Sequence, residues 1–452
     1  MRKSLVFIMV LVLFAAMISG CSPKASQPQP AAPAAEATPV PEAAPTEETA
    51  PVVEAAPIAE TASAGESTPE NIEISWFQFQ VEFAEQMGRL TKAYTEANPN
   101  VAIDCNVMGD NYPPSLMARA ASNDMPDVFM TYGYTQAANY ERFLRDISDE
   151  PFVERFVDSA MPAVTQDGKV VGIPTSIASQ GIIYNKAIFA EHNLEIPTTL
   201  TELKAICETL KANDVMPFVN QFKDDWLLGI YLGTAFGYEG NGSEITADLM
   251  SGTTTFTKLP LVDLALDFMD LMIENGLEHP LNYGWNEVCS AFAQGRAAMM
   301  FEGEWMYDSL IAIDPDFEMG MFPTPMTDDV TLNLIEMDVN SVWHINANTA
   351  HADELVKVFD WVTSDPVAKD LLLNDFKIVP AFKGWEFTGD NVLSKDGVKY
   401  AENGTKGWAW LAWPDGFREA AGRRLQDYIS GTLSRENAAQ EFDVLWQRFM
   451  NN

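Results

Sequence analysis

From Asn71 onward the chain alternates strand-like and helix-like segments at short intervals, and this rhythm restricts the fold more than any other feature. Ile72, Ile74 and Trp76 alternate as one face of a strand, and Phe83, Met87, Leu90 and Tyr94 recur at helical spacing until Asn98-Pro99-Asn100 stops the helix. Val101, Ile103, Cys105 and Val107 form a second alternation, a short helix is predicted over 115–122, and Pro126-Asp127 leads into a third strand over 128–131. Strand, helix, strand, helix, strand within about sixty residues is the pattern of an open parallel sheet with right-handed crossovers. Ligands of such sheets bind beyond the carboxyl ends of the strands. The loops 78–82, 108–113 and 132–136 are therefore the first places to look for function.

A second α/β pattern starts near Gly181. Ile182-Ile183-Tyr184 reads as a strand, and Thr199-Leu200-Thr201-Glu202 is a capping box that opens a helix carrying Leu203, Ile206 and Leu210. Val342 to Ile345 reads as a further strand and Leu355, Val358, Phe359 and Val362 as a helix. The chain closes on Phe442, Leu445, Trp446 and Phe449. No short-period repeat appears.

The first seventy residues have a different character. Arg2 and Lys3 precede a nearly unbroken apolar run over 5–18, the length of a signal-peptide core and short of a membrane span. Ser19-Gly20-Cys21 resembles a bacterial lipobox, which implies a diacylglyceryl group on Cys21 and cleavage before it. The other reading is an ordinary secretory leader in which Cys21 is incidental. Two acyl chains would anchor the protein stably, whereas one binds only marginally. Residues 22–70 hold ten of the 27 prolines and no aromatic residue, too little apolar surface to offset the entropy of ordering. They read as a disordered tether with an r.m.s. span of about 40 Å as a flexible coil.

The formal charge of the chain is -37, and removing the leader and the tether still leaves -32 on the remaining residues. Such a field disfavours nucleic acid, phosphate-rich ligands and anionic lipid, within a Debye length of about 8 Å. About 380 residues are too many for one ordinary core, so two domains or lobes are expected. After Cys21 only Cys105, Cys207 and Cys289 remain, an odd and widely spaced set that excludes a disulfide framework. The four histidines show no close ligand spacing, and neither G-x-S-x-G nor a Walker loop is present. Metal hydrolase, serine esterase and NTPase readings lose their usual signals.

The order of several short segments resembles the extracellular solute-binding proteins of bacterial ABC importers, in the branch that binds maltose and other oligosaccharides. These segments are Asn98-Pro99-Asn100-Val101, Met125-Pro126-Asp127-Val128-Phe129, Gly172-Ile173-Pro174, and Ile183-Tyr184-Asn185-Lys186 with Pro197-Thr198-Thr199. Next come Phe292-Ala293-Gln294-Gly295-Arg296-Ala297-Ala298-Met299, Gly303-Glu304-Trp305, Phe359-Asp360-Trp361-Val362 and Asp365-Pro366. The resemblance implies a two-lobe periplasmic-binding-protein-like α/β fold with three inter-lobe crossings and a ligand cleft between lobes. It divides the chain into a signal peptide (1–20), a lipidated Cys21 with the tether (21–70), an N-terminal lobe (71–178 plus 325–379) and a C-terminal lobe (182–321 plus 383–452). The crossings are expected near 177–181, 322–327 and 378–382.

A sugar ring offers an apolar face and a rim of hydroxyls, so its site needs flat aromatic platforms with fixed donors and acceptors at their edges. The resemblance implies ring-stacking and hydroxyl-binding groups at Tyr132, Tyr134 and Thr135, and a stacking platform at Trp305. Glu302 is a candidate acceptor beside it, and Trp226 a candidate aromatic from the second lobe. Trp408, Trp410 and Trp413 crowd into six residues and suit a platform at the cleft rim, with at least one of them structural. Phe79 and Gln80, Asp110 and Ser179 are placed in the site by position alone. Maltose-binding members carry an Asp-Arg pair where this chain has Tyr134-Thr135, which argues against maltose itself.

The expectation is a non-enzymatic, monomeric receptor without cofactor or metal. It would be lipid-anchored on the extracellular face of the cytoplasmic membrane of a Gram-positive cell, capture an oligosaccharide and deliver it to membrane permease subunits. The alternatives are a surface carbohydrate hydrolase with paired carboxylates and a receptor of the same fold for a polyamine or a metal ion, the latter with Tyr132 and Tyr134 as oxygen ligands.

Overall fold

In the computed structural model residues 71–238 and 242–451 are described, except for the side chains of Asp110 and Ser243. The leader, Cys21 and the tether lie outside the described residues. Thirteen strands occur in this part: β1 (Ile72–Gln78), β2 (Val101–Val107), β3 (Val128–Thr131), β4 (Thr165–Gln166), β5 (Lys169–Val170), β6 (Ile173–Pro174) and β7 (Ile177–Asn185). Then follow β8 (Met216–Phe218), β9 (Ala297–Gly303), β10 (Met319–Phe322), β11 (Ile335–Val339), β12 (Val342–Ile345) and β13 (Thr405–Lys406).

The first sheet has the order β2-β1-β3-β12-β6. β1 pairs with β2 in parallel from Ile72↔Val101 to Gln78↔Val107, and with β3 in parallel at Trp76↔Val128. The parallel sheet expected from the opening rhythm is thus present, extended on one side by β12, antiparallel to β3, and then by β6, antiparallel to β12. The helix Ala84–Ala97 lays Met87, Leu90 and Tyr94 on the sheet and ends at Asn98 as expected. The next helix, Tyr112–Ser122, begins three residues before the predicted start. Pro113 and Pro114 sit in its first turn, where their missing N–H groups have no intrahelical partner to lose.

The second sheet runs β13-β11-β7-β9-β8, with β10 also on β7. The nine-residue β7 is its spine: its first half pairs with β11, its second half with β10, and its other edge with β9. β9 is buried throughout, including Glu302, and runs parallel to β8. Beneath it the helix Asp225–Phe236 is buried at every position from Leu227 to Phe236, because sheet and helices enclose it on all sides. The capping box predicted at Thr199 is formed.

The two sheets have separate apolar cores, one around Trp76, Phe129, Trp343 and Phe359, the other around Tyr231, Phe236, Phe256 and Trp446. The chain passes between the sheets at Thr175–Ser176, at Asn340–Ser341 and after Val379. These passages touch: the Asn340 N–H donates to the Ser176 carbonyl (3.0 Å), the Thr175 N–H to the Ser341 carbonyl (2.9 Å) and the Ile177 N–H to the Val379 carbonyl (2.9 Å). The second passage corrects the expectation of a crossing near 322–327. β11, expected with the first half, pairs antiparallel with β7 from Gln180↔Glu336 to Ile177↔Val339, so the chain stays in the second sheet until residue 339. A five-residue strand between two crossings has no sequence signal for which sheet it will join.

Candidate ligand site between the two sheets

The loops that leave β1 and β3 approach a tryptophan-rich turn from the second half of the molecule. Gly133 has a φ of 74°, and a Cβ there would lie 2.3 Å from the Ala163 carbonyl oxygen. Only glycine fits this turn, which sets Tyr132 and Tyr134 in different surroundings. The Tyr132 ring packs on Phe79 (4.9 Å between centroids) and meets the edge of Trp410 at 5.6 Å. Trp410 stacks on Trp408 at 5.4 Å with the planes 18° apart, and Trp408 meets Trp305 edge-on at 5.9 Å. Phe79, Tyr132, Trp410, Trp408 and Trp305 therefore form an unbroken run of rings from the first sheet to the second.

The Arg418 guanidinium lies 4.9 Å from the Tyr132 ring and 4.5 Å from the Trp410 ring, bridging them as a cation over two aromatic faces. Its Nε donates to Glu419 Oε1 at 2.9 Å. Sequence reasoning missed Arg418; an Arg after a Gly-Phe pair carries no pattern that distinguishes it from a surface residue. Glu302 is fully buried. Its Oε2 accepts from the Trp305 indole N–H (2.9 Å) and the Gly303 N–H (3.2 Å), while Oε1 has no partner among the described residues. Burial pushes its carboxyl up to about 8, against those two hydrogen bonds and with the help of nearby Asp224.

Other expected residues have different surroundings. The Tyr134 hydroxyl donates to Asp338 Oδ1 (2.9 Å), and Asp338 Oδ2 accepts from the Trp408 N–H (3.1 Å), so Asp338, also missed, ties the β3 loop to the tryptophan turn. The Thr135 hydroxyl is engaged by the carbonyls of Leu411 (3.2 Å) and Trp413 (2.5 Å). Gln80 is buried beside the crossings, where its Oε1 accepts from the Ser341 hydroxyl at 3.3 Å. Ser179 is buried on β7, and a Cβ on Gly397 would lie 2.2 Å from its hydroxyl, so it is packed away from the rings. Trp226 is half-buried against the second core, at the start of the helix Asp225–Phe236. Asp110 sits in the turn Gly109–Asn111, its side chain outside the described part. Trp413 is buried against Phe236 and Phe417, and Trp408 and Trp410 are buried in the same core, so burial does not separate the three.

Among the described residues no group of three or more His, Cys, Asp or Glu could hold a metal ion. His344 is fully buried between Thr131 Oγ1 and the Val171 carbonyl, both at 2.8 Å from its ring nitrogens, and burial lowers it to about 4. Cys105, Cys207 and Cys289 are unpaired.

A family model for the bacterial extracellular solute-binding proteins matches residues 79–369. The chain belongs to that family. A relative of this solute-binding protein is the multiple sugar-binding protein of Streptococcus mutans, 23% identical over 312 residues, 67% of this chain and 73% of that one. The melibiose/raffinose/stachyose-binding protein MelE of Bacillus subtilis is 21% identical over 52% of this chain and 57% of its own length. Among solved structures, RafE of Streptococcus pneumoniae in complex with raffinose superposes with a TM-score of 0.71 at 19% identity, covering 84% of this chain and 100% of that one. The fold is accordingly the two-domain α/β architecture of solute-binding proteins. No helix of the described residues is long and apolar enough to cross a membrane.

Proposed function

We propose that this protein is the substrate-capturing component of an ABC importer, that its ligand is an oligosaccharide, and that it hands the ligand to membrane permease subunits. The observation that carries this reading is the run of rings from Phe79 to Trp305, which spans both sheets and is bordered by Glu302, Arg418 and Asp338. Faces of successive sugar units stack on such rings while hydroxyls take the polar edges. Sugar names among the relatives point the same way.

In this reading Tyr132 and Trp305, both partly exposed, are platforms, the buried Trp410 and Trp408 back them, Phe79 supports Tyr132, and Glu302 meets hydroxyls. Tyr134 and Thr135 act as struts that hold the tryptophan turn, and Gln80 and Ser179 belong to the crossings. Trp226 and Asp110 remain candidates at the ends of the cleft. The lobes would be 71–176 with 341–382 and 177–340 with 383–451, closing about the three adjacent passages. Closure is coupled to the ligand only if the closed form binds it better. The receptor is a monomer, performs no chemistry on its ligand, and is held to the outer face of the membrane through Cys21.

Calorimetric titration of the mature protein with raffinose, stachyose, maltotriose and chitin and xylan oligosaccharides tests the reading. At least one should bind with micromolar affinity or better, and be recovered intact after long incubation. Silence across this panel together with a response to a polyamine, an amino acid or a metal ion would overturn the sugar assignment, and cleavage products would overturn the non-enzymatic one.

A further inference from the structure

Three polar atoms without partners lie where β8 and β9 end. Gln221 is 2% exposed, and neither its Oε1 nor its Nε2 has a hydrogen-bond partner among the described residues; Glu302 is 0% exposed, and its Oε1 is likewise unpaired. Buried polar groups are paired as a rule, and leaving one unpaired destabilises the fold in proportion to the hydration it has lost. At Gln221, where neither atom is paired, an apolar residue of the same size would suit the ligand-free fold better.

The two side chains share a location. β8 and β9 run parallel with Phe218 opposite Met299, and the Val219 N–H donates to the Met299 carbonyl at 3.0 Å. Carried three residues further, this register puts Gln221 level with Glu302. Side chains alternate between the faces of a strand. Val219 and Met300 both belong to the apolar cluster on one face; Glu302, two residues beyond Met300 on β9, falls on that side, and Gln221 follows Val219 at the same spacing in the loop that leaves β8. Asp224, three residues past Gln221, is close enough for its charge to bear on Glu302, so the loop after β8 folds back over the end of β9. Trp305, held by Glu302 through its indole N–H, flanks the same spot.

A primary amide presents an acceptor and a donor side by side in one plane, and two hydroxyls on neighbouring carbons present the complementary pair. Glu302 Oε1 supplies a third hydrogen-bonding position beside them. We infer that Gln221 and Glu302 form a pocket for the vicinal hydroxyls of the sugar unit that stacks on Trp305, with Gln221 the residue that selects among sugars. The inference rests on the sugar reading above and adds to it a residue and the chemical feature it recognises. Gln221 carried no signal in the sequence, since its burial and its lack of partners arise only from the folded loop.

The test compares wild type with Gln221→Leu and Gln221→Glu, measuring the thermal midpoint of the free protein and calorimetric affinity for raffinose, stachyose and maltotriose. Leucine fills the same space without unpaired atoms, so the free Gln221→Leu protein should melt at or above the wild-type temperature. Its affinity for the sugar that wild type binds should fall about tenfold or more. Gln221→Glu keeps the shape, loses the donor, and should weaken binding too, which preserves the test if the leucine variant folds poorly. Unchanged affinity in both variants would overturn the inference and leave the sugar reading standing. A wild type that binds none of the three, nor any sugar of the wider panel, would overturn the sugar reading and this inference with it.

Discussion

Single residues carry most of the electrostatic tension in this molecule. Glu302 and Glu304 are both buried, and burial pushes each carboxyl up to about 8 from an ordinary 4.5, against hydrogen bonds from Gly303 and Trp305 in one case and from Ser394 in the other. The folded chain thus keeps protons that the unfolded chain releases above its ordinary carboxylate range, and stability falls as pH rises toward 8. His344 works in the opposite sense. Lowered to about 4 by burial, it stays neutral in the fold while the unfolded ring takes up a proton below about 6.5, so its contribution is lost only on the acid side. Between pH 6.5 and 8.5 Glu82, pushed up to about 7 by burial, and the buried Glu336, also raised, act in the same sense as Glu302 and Glu304, while Lys406 beside Glu336, lowered by burial, opposes them toward the alkaline end. The ligand-free protein should therefore be less stable at pH 8.5 than at pH 6.5 by about 1–3 kcal/mol, and Glu304→Gln should flatten that dependence, as thermal melts across the range would read. Individual roles were the least legible part of the sequence. Trp305 and Tyr132 could be singled out only through the resemblance to sugar-binding proteins, which places stacking groups at those positions. Thr135 could not be told apart from a ligand-binding hydroxyl, because the Leu411 and Trp413 carbonyls that engage it are more than 270 residues away in sequence.

At the scale of elements, the helix Asp225–Phe236 and the glycine that follows it set the depth of the tryptophan turn. Gly229, Gly233 and Gly237 recur every four residues on one face, and a Cβ on each would collide with Arg418, Trp410 and Lys406 respectively, at 2.2, 2.9 and 2.9 Å. The Arg418 backbone carbonyl and the Trp410 and Lys406 side chains, all from one stretch of chain, thus lie directly on the helix backbone, and the ring of Trp410 is fixed from beneath. Gly233→Ala should push Trp410 toward Tyr132 and Arg418, cost about 1–3 kcal/mol of stability as an overpacked core substitution does, and weaken ligand binding more than a surface Gly→Ala would. Denaturant melts with parallel titrations would separate the two effects. The spacing of these glycines is plain in the sequence, yet its use is not, because the residues that fill the groove come from 406–418. By contrast, the parallel strands β1 to β3, the helix stop at Asn98 and the capping box at Thr199 were all readable, since each depends on neighbours a few residues away.

For the whole molecule the decisive contacts are those that join the two halves. Besides Thr135, the Gln136 amide donates to Asp415 Oδ1 (3.1 Å) and the Asn139 amide to Asp415 Oδ2 (2.9 Å), so one carboxylate on the tryptophan turn clasps the short helix after β3. These bonds are exposed, and each contributes about 0.5–1.5 kcal/mol at most. If they favour the closed arrangement, Asp415→Ala should shift the ligand-free protein toward an open one. The expected results are a larger radius of gyration by small-angle X-ray scattering and a few-fold loss of affinity, with the melting temperature nearly unchanged. Equal scattering profiles for the two proteins would show that the clasp is a fixed part of the fold. The sequence by itself determined the α/β class, the expectation of more than one core and the family, because these follow from local periodicity, chain length and short ordered motifs. The tertiary structure decided which sheet β11 joins, that Arg418 bridges Tyr132 and Trp410, and that Gln221 ends buried without hydrogen-bond partners among the described residues. Those outcomes depend on which distant segments meet, and a one-dimensional pattern carries no information about a meeting that no local rule enforces.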